Sequence, residues 1–367
     1  MTEFNAVSTI IFILPFFLVY FIFAVYAERK ISAFIQDRLG PMEAGKFGLL
    51  QSIADGIKFI QKEDIVPTQA DARLFKLAPV LVFAAVFTGF SVLPLSPTWA
   101  GSGILSGLFF LLAFVSLDVI GIIIAGWSSN NKYSTLGTFR AAAQIISYEV
   151  PLGLSVLTVC MVCETLNLQE ISYQQSHLSG QPQFLFGIQS LGIETTHVGG
   201  FLTWNVFRMP LLFFSFIIFF IASLAESNRA PFDLPEAESE LVGGYHTEYS
   251  GFRWASLMLA EYGMMLLVSM LGTILFLGSW GTLLPNIGII KLADWTTGTP
   301  GTFAANAWGI FWLLFKALGL VGLQMWVRWT FPRLRIDQLM KLSWKYLTPA
   351  ALALIILCGF WKLTIVA

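Results

Sequence analysis

Cysteine, histidine and charge are all scarce in this chain. Three cysteines in 367 residues cannot build a disulfide framework, nor supply four thiolates to an iron–sulfur cluster. Cys160 and Cys163 form a CxxC, but it lies inside the apolar run LSVLTVCMVCETL with no further ligands beside it. Packed cysteines are therefore the expectation there, rather than zinc or redox chemistry. His177, His197 and His246 all fall outside the apolar runs, which disfavours a haem held between membrane helices by axial histidines. No nucleotide fingerprint of the GxGxxG or GxxxxGK type is present. Charged residues make up only 12 % of the chain, and a net charge of −1 argues against a nucleic-acid partner. Any electron carriers this chain serves must belong to other subunits.

What is abundant is apolar surface. Hydrophobic residues reach 56 %, aromatics 15 % and the mean hydropathy +0.74, values that suit a bilayer and not free solution. A spanning helix needs about 20 mostly apolar residues. Eight stretches qualify: 5–27, 77–97, 103–127, 141–163, 204–225, 254–278, 304–327 and 345–365. The first follows MTEFNAVS, which lacks the basic start of a cleaved signal, so it is read as retained. The expected fold is an all-α polytopic membrane protein forming one transmembrane domain over residues 1–367.

Lys and Arg set the orientation. If the connections after the first, third, fifth and seventh spans are cytoplasmic, they and the span ends beside them hold 17 of the 21 basic residues. Only Arg208, Lys291, Lys316 and Lys362 lie elsewhere. The positive-inside rule then places both termini on the outer, periplasmic side. The connection at 164–203 is Gln- and Ser-rich, holds no Lys or Arg, and reads as a translocated surface loop. No inverted repeat of the kind common in secondary transporters is evident.

Between the first two spans, residues 43–63 read as an amphipathic helix in the membrane interface. Phe47, Leu50, Ile53, Ile57 and Ile60 recur at spacings of three and four, while Lys46, Gln51, Asp55, Lys58 and Lys62 look the other way. Such a helix serves either as a surface anchor or as the wall of a site that opens sideways to lipid.

Asp118, Glu149, Glu226, Glu261 and Lys316 sit inside or at the ends of spans. A charge at a helix centre costs about 2.5–3.5 kcal/mol on insertion scales, so each must face protein or water. Singly, each is explained by an ion pair or by a protonated acid with one hydrogen bond. Four carboxylates and a lysine on different helices favour a hydrated chain of titratable groups instead. Glu149 lies nine residues past Arg140 and Glu261 eight past Arg253, at similar depths from the cytoplasmic side. There the acidic loop 226–253 begins within AESNRAPFDLPEAESELVGGYHTEYSGF, which sets six acids against one arginine. Pro235 suits a first helical turn, and Glu236, Glu238 and Glu240 would complement the helix dipole. Dipole capping needs only one or two of them. A metal site is disfavoured, because the two prolines suit a cation loop poorly.

The motifs AERKISAFIQDRLGP, SSNNKYSTLGTFRAAAQIISYEVPLGL, AESNRAPFDLPEAESELVGGYHTEYSGF and RWTFPRLRIDQLMKLSWKYLTP resemble, in order and on the cytoplasmic connections, the H-subunit family of respiratory complex I. The resemblance covers nearly the whole chain. It implies a membrane subunit of the proton-pumping NADH–quinone oxidoreductase, inactive alone, in the inner membrane of a bacterium. Such a chain forms the access tunnel for a quinone, ubiquinone or menaquinone, and couples its reduction to proton translocation. Its partners would be the hydrophilic subunits on the cytoplasmic side, which carry flavin and iron–sulfur clusters, the small membrane and antiporter-like subunits beside it, and lipid.

Carried over by motif, Glu28, Arg29, Arg38 and Asp55 would border the quinone. Glu149, Glu226, Arg229, Asp233, Glu236, Glu238, Glu240, Glu248 and Glu261 would form the proton path. Lys132, Arg140, Arg328, Arg333 and Arg335 would be cytoplasmic counter-charges. One departure stands out: after RLGP the chain reads MEAGKFG, with Glu43 near a position that is basic in many members.

Two other functions fit parts of the pattern. A ferredoxin-dependent quinone reductase or a membrane-bound hydrogenase would use the same fold with a different donor. A stand-alone ion transporter would need no partner, but the clustering of motifs on one side argues against it.

Overall fold

Proline and capping side chains set most of the helix limits. The computed structural model describes residues 6–101, 103–179, 182–188, 192, 194–235, 238–287 and 290–366. The principal helices are α1 (Ala6–Ile35), α2 (Gln51–Gln61), α3 (Ala72–Phe90), α4 (Gly107–Ser128), α5 (Lys132–Cys163), α6 (Pro210–Glu226), α7 (Gly251–Phe276), α8 (Phe303–Thr330) and α9 (Ile336–Thr364). Six of them (α3, α4, α5, α7, α8 and α9) are long and apolar enough to cross a membrane by length and composition. The 30-residue α1 and the 17-residue apolar α6 accompany them. Among the described residues the one strand pairing is a ribbon of Asn286–Ile287 against Ile290–Lys291.

Several helices overrun the apolar stretches that announce them. α5 begins at Lys132, nine residues before the hydrophobic run, because Asn131 accepts a hydrogen bond from the Tyr133 amide at 2.9 Å and caps it. α1 continues to Ile35, so Glu28 and Arg29 are carried on its last turns. Backbone hydrogen bonding does not stop where lipid stops, whereas hydropathy records only the lipid-facing part. Elsewhere proline shortens the helix. α3 ends at Phe90 and not at 97, since Pro94 and Pro97 follow, and α6 starts at Pro210, whose missing amide suits the first helical position.

Within the 43–63 stretch the α-helix occupies Gln51–Gln61, after a short 3₁₀ turn at Lys46–Gly48. Gly45 and Gly48, at φ 73° and 76°, break the helical path before it, and a Cβ on Gly48 would collide with the backbone of Pro41.

α7 is the central helix. It packs against α3, α6 and α8 and also touches α1 and α2; from Tyr262 to Phe276 it is buried, whereas most of α9 faces outward. Small residues permit the close approaches: a Cβ on Gly126 of α4 would overlap the Thr138 side chain of α5, and one on Gly263 of α7 would crowd Phe17 and Val86.

The segment read as a surface loop is partly packed instead. Its helix Leu168–Gln174 leads to Gln175, which is fully buried and donates to the Ile274 carbonyl at 2.7 Å. Gln175 also accepts from the Gly278 amide at 3.0 Å, so a polar side chain serves the backbone groups at the end of α7. Cys160, Cys163 and Cys358 are free and buried.

Candidate functional site

A cavity of about 1090 Å³ lies between α1, α2, α3, α7 and α8, and its wall changes character along its length. On α1 the lining residues run from Leu14 through Leu18, Phe21, Ile22 and Val25 to Glu28, Arg29 and Ser32. That stretch measures about 27 Å at 1.5 Å per residue. The first two-thirds are apolar and the remainder polar. α3 runs the other way and repeats the pattern, with Lys76 at its start and Phe83 and Phe87 deeper. α2 closes one side with Ile53, Ile57, Phe59 and Ile60, and also contributes Ser52 and Asp55. The cavity thus has a long oily barrel and a charged end.

The charged end is organised around Glu28. Its carboxylate, 5 % exposed, accepts hydrogen bonds from Arg229 Nη1 at 3.2 and 3.3 Å, from the Tyr262 hydroxyl and from Arg328. Arg229 is equally buried, and its guanidinium stacks 4.3 Å from the Tyr262 ring centroid. Four segments meet in this cluster: α1, the turn after α6, α7 and α8. The turn is built by Asn228 at φ 48°, while Gln144 of α5 donates to Asn228 Oδ1 at 3.2 Å and to the Ala225 carbonyl at 2.9 Å.

At the mouth, Arg29 donates to Asp55 at 2.7 Å, tying α1 to α2, and Lys58 joins at 3.2 Å. Partial burial raises the Asp55 carboxyl, but the hydrogen bonds and charges of Arg29 and Lys58 outweigh it and hold it below the usual carboxylate range. Arg38 also lines the cavity; its side chain donates to Gln36 at 2.7 Å. The four residues expected beside a ligand, Glu28, Arg29, Arg38 and Asp55, therefore share one cavity.

The expected acidic path divides into two groups. Glu261, on α7, accepts from the Tyr245 hydroxyl at 2.7 Å and lies 3.3 Å from His246 Nε2, with Arg229 also within electrostatic reach. Glu226, at the end of α6, is 3 % exposed, and its Oε2 has no hydrogen-bond partner among the described residues. Glu149 and Asp118 are the acids within its electrostatic reach, and Glu149 itself is hydrogen-bonded to Ser116.

The second group is held by ion pairs and hydrogen bonds to basic and polar side chains. Asp233 pairs with Arg333 at 2.8 Å, Glu240 with Arg140 at 2.6 Å, and Glu248 accepts from Asn131 at 2.5 Å. The Arg140 hydrogen bond, then its charge, keeps the exposed Glu240 carboxyl below its ordinary value. Lys132 and Arg335 are exposed. Arg328 departs from the expected grouping, since it joins Glu28 in the cavity instead of the cytoplasmic counter-charges. Glu236 lies outside the described residues, and Glu238 is described only as the start of a short helix, Glu238–Leu241.

Tyr262, Tyr245 and His246 were not singled out from the sequence, yet they contact the key carboxylates. Adjacency was the available signal: Tyr262 follows Glu261, and Tyr245–His246 follow the glycine pair of the acidic loop. No cluster of three or more His, Cys, Asp or Glu able to hold a metal ion occurs among the described residues.

The NADH dehydrogenase family matches residues 7–359. The second H-type NADH-quinone oxidoreductase subunit of Cytophaga hutchinsonii is 59 % identical over 356 residues, covering 96 % of this chain and 98 % of that one. The H-type subunits of the NADH-quinone oxidoreductases of Chlorobium luteolum and Bacillus mycoides are 48 % and 43 % identical, each over 341 residues. Those alignments cover 93 % of this chain in both cases, and 84 % and 89 % of the relatives.

Because Glu28 neutralises two arginines, Glu28→Gln leaves the buried Arg229 without its hydrogen-bonded counter-charge. A broken buried pair costs about 3–5 kcal/mol, and the low end is expected because Arg328 keeps some access to solvent. The thermal unfolding midpoint of the detergent-solubilised protein should fall by several degrees. A midpoint equal to wild type would show that the cluster does not hold these helices together.

Proposed function

The chain belongs to the NADH dehydrogenase family as an H-type subunit, and on that premise we propose that its cavity admits a quinone whose reduction drives protons along the buried acids. It is a membrane subunit of an NADH-quinone oxidoreductase. The observation that carries the tunnel reading is the polarity change over about 27 Å of α1, from Leu14 to Ser32. A quinone has the matching shape, an apolar isoprenoid tail behind a polar ring.

Reduction of a quinone takes two electrons and two protons. The electrons come from flavin and iron–sulfur clusters in the hydrophilic subunits; the role of this chain is to seat the quinone and respond to the change in charge. Arg229 is the link. It binds Glu28 at the charged end of the cavity and also lies within electrostatic reach of Glu261. A unit charge about 10 Å away acts with about 1.7 kcal/mol at an effective dielectric of about 20, enough for more than a tenfold change in a proton equilibrium. A change at Glu28 is therefore large enough to be felt at Glu261, then at Asp118 and Glu226, whose titrations are interdependent.

In the bilayer, the six long apolar helices with α1 and α6 make eight spans, and both termini face the periplasm of a bacterial inner membrane. The distribution of basic residues, 17 of 21 on alternate connections, supports this orientation. The exposed Lys132 and Arg335 then face the hydrophilic arm. Lipid and the small and antiporter-like membrane subunits cover the apolar flanks, and α2 lies beside the entrance.

Purification of the intact assembly through a tag on this chain should bring down bound flavin, a quinone and NADH-oxidising activity; an assembly that oxidises no NADH would sink the assignment. Alkaline phosphatase fused after Ala367 should be active, and an inactive fusion that is nevertheless assembled would reverse the topology. Arg38→Ala removes a charge-assisted contact worth about 1.5–3 kcal/mol, so the quinone KM should rise about tenfold or more, whereas an unchanged KM would place Arg38 outside the tunnel. Glu149→Gln should lower proton translocation severalfold in an assembly that still forms, and undiminished pumping would argue that the buried acids are structural.

A further inference from the structure

We propose that Lys30 is a positioning residue for the quinone, clamping the connection between α1 and α2 so that Arg38 stays in the wall of the cavity. The inference rests on the reading that Arg38 meets the quinone, and it adds what holds Arg38 there. Lys30 is not itself among the residues that line the cavity.

Arg38 belongs to an irregular stretch, 36–45, that follows the last turn of α1. Its side chain is held by neutral groups: Nε donates to Gln36 Oε1 at 2.7 Å and Nη2 to Ser32 Oγ at 3.4 Å. Gln36 lies in the same turn, so the shorter bond moves with Arg38 and fixes little against the helix. The backbone is anchored on one side, where the Arg38 amide donates to the Ala33 carbonyl at 2.8 Å after Asp37 at φ 53°. Beyond Arg38 the chain leaves the helical path.

Lys30 secures that far side. Its Nζ donates to the Pro41 carbonyl at 2.8 Å, to the Leu39 carbonyl at 3.3 Å and to Met42 Sδ at 3.5 Å. An ammonium has three donors, and here three acceptors from one short stretch surround it. Leu39 follows Arg38 directly, so Arg38 is gripped between the Ala33 carbonyl on one side and the Lys30 ammonium on the other. Gly40, at φ 67°, lets the chain lie against α1: a Cβ there would stand 3.0 Å from Ala33 Cβ and 3.5 Å from Lys30 Cδ. One turn earlier, Tyr26 donates to the Phe47 carbonyl at 3.0 Å, and the Lys30 ammonium lies 5.8 Å from the Tyr26 ring centroid. Tyr26, Lys30 and Ala33, at spacings of four and three, thus form a face of α1 that carries the connection. The neighbouring face, with Val25, Glu28, Arg29 and Ser32, lines the cavity.

The carbonyls themselves do not require a lysine. Leu39 is exposed and Pro41 only partly buried, so water would satisfy both oxygens. What the ammonium adds is a fixed path for the backbone that carries Arg38. A side chain already held where the ligand meets it avoids an ordering cost on binding, and losing that advantage weakens binding about two- to tenfold.

The test measures NADH:quinone reductase activity of the complete assembly, per bound flavin, with decylubiquinone or a short-tailed menaquinone as acceptor, whichever it reduces. Lys30→Met keeps the unbranched stem and removes the donors. The quinone KM should rise about two- to tenfold with kcat unchanged, and Lys30→Arg should bring it back towards wild type. In the Arg38→Ala background the same Lys30→Met change should add nothing, because both act on one contact. A wild-type KM in assembled Lys30→Met, with that of Arg38→Ala raised, would overturn the clamp and leave the tunnel standing. A wild-type KM in Arg38→Ala would remove Arg38 from the tunnel, and this inference with it. Effects that multiply in the double variant, or a loss confined to kcat, would show that Lys30 acts elsewhere and overturn the proposal. If Lys30→Met does not assemble, Lys30→Gln takes its place: a raised KM supports the clamp, and a wild-type KM overturns it.

Discussion

The buried ion cluster of Glu28, Arg229 and Arg328 is the constraint around which the rest of this molecule is arranged. Charges inside a membrane protein are tolerated only with partners, and here one carboxylate serves two guanidiniums and a tyrosine hydroxyl. Each partner comes from a different segment, so the cluster brings α1, the turn after α6, α7 and α8 to one point. It also forms the polar end of the cavity, so the group that ties these helices together is the one a ligand's charge would disturb.

α7 carries side chains of both groups of buried polar residues. Tyr262 contacts Glu28 and the neighbouring Glu261 contacts Tyr245 and His246, so successive residues face the cavity cluster and the acidic chain. Arg229 reinforces the link from a second backbone segment, because it reaches Glu28 directly and Glu261 electrostatically. The pairs Arg140–Glu240 and Arg333–Asp233 stand apart from it, with their basic partners partly open to solvent, where charge is inexpensive.

Much of this was legible in the sequence, for reasons that differ from residue to residue. The apolar helices could be read because lipid imposes length and hydropathy on each helix independently. Their ends could not, because Asn131 and Pro210 act through backbone geometry that hydropathy does not record. Glu28, Arg29, Arg38 and Asp55 could be proposed as neighbours from motif resemblance, but the dual role of Arg328 could not. Its position among basic cytoplasmic residues looks like that of any other, and only the close of α8 against α1 turns it inward. Gln175 was concealed for a similar reason: its stretch is polar, and polarity reads as exposure until the carbonyls it serves are located.

What the sequence by itself determined is membrane residence, the set of apolar helices, the asymmetry of positive charge and membership of the family. Each of these depends on residue type summed along the chain, and none requires two distant segments to meet. Tertiary structure alone decided which charges pair and which stay exposed. It also decided that the apolar part of a cavity leads to Glu28 and that Asp118 is buried within the bundle. Ion pairing and electrostatic coupling act over a few ångströms in space, between residues as much as 300 positions apart in the chain, and only packing brings such residues together.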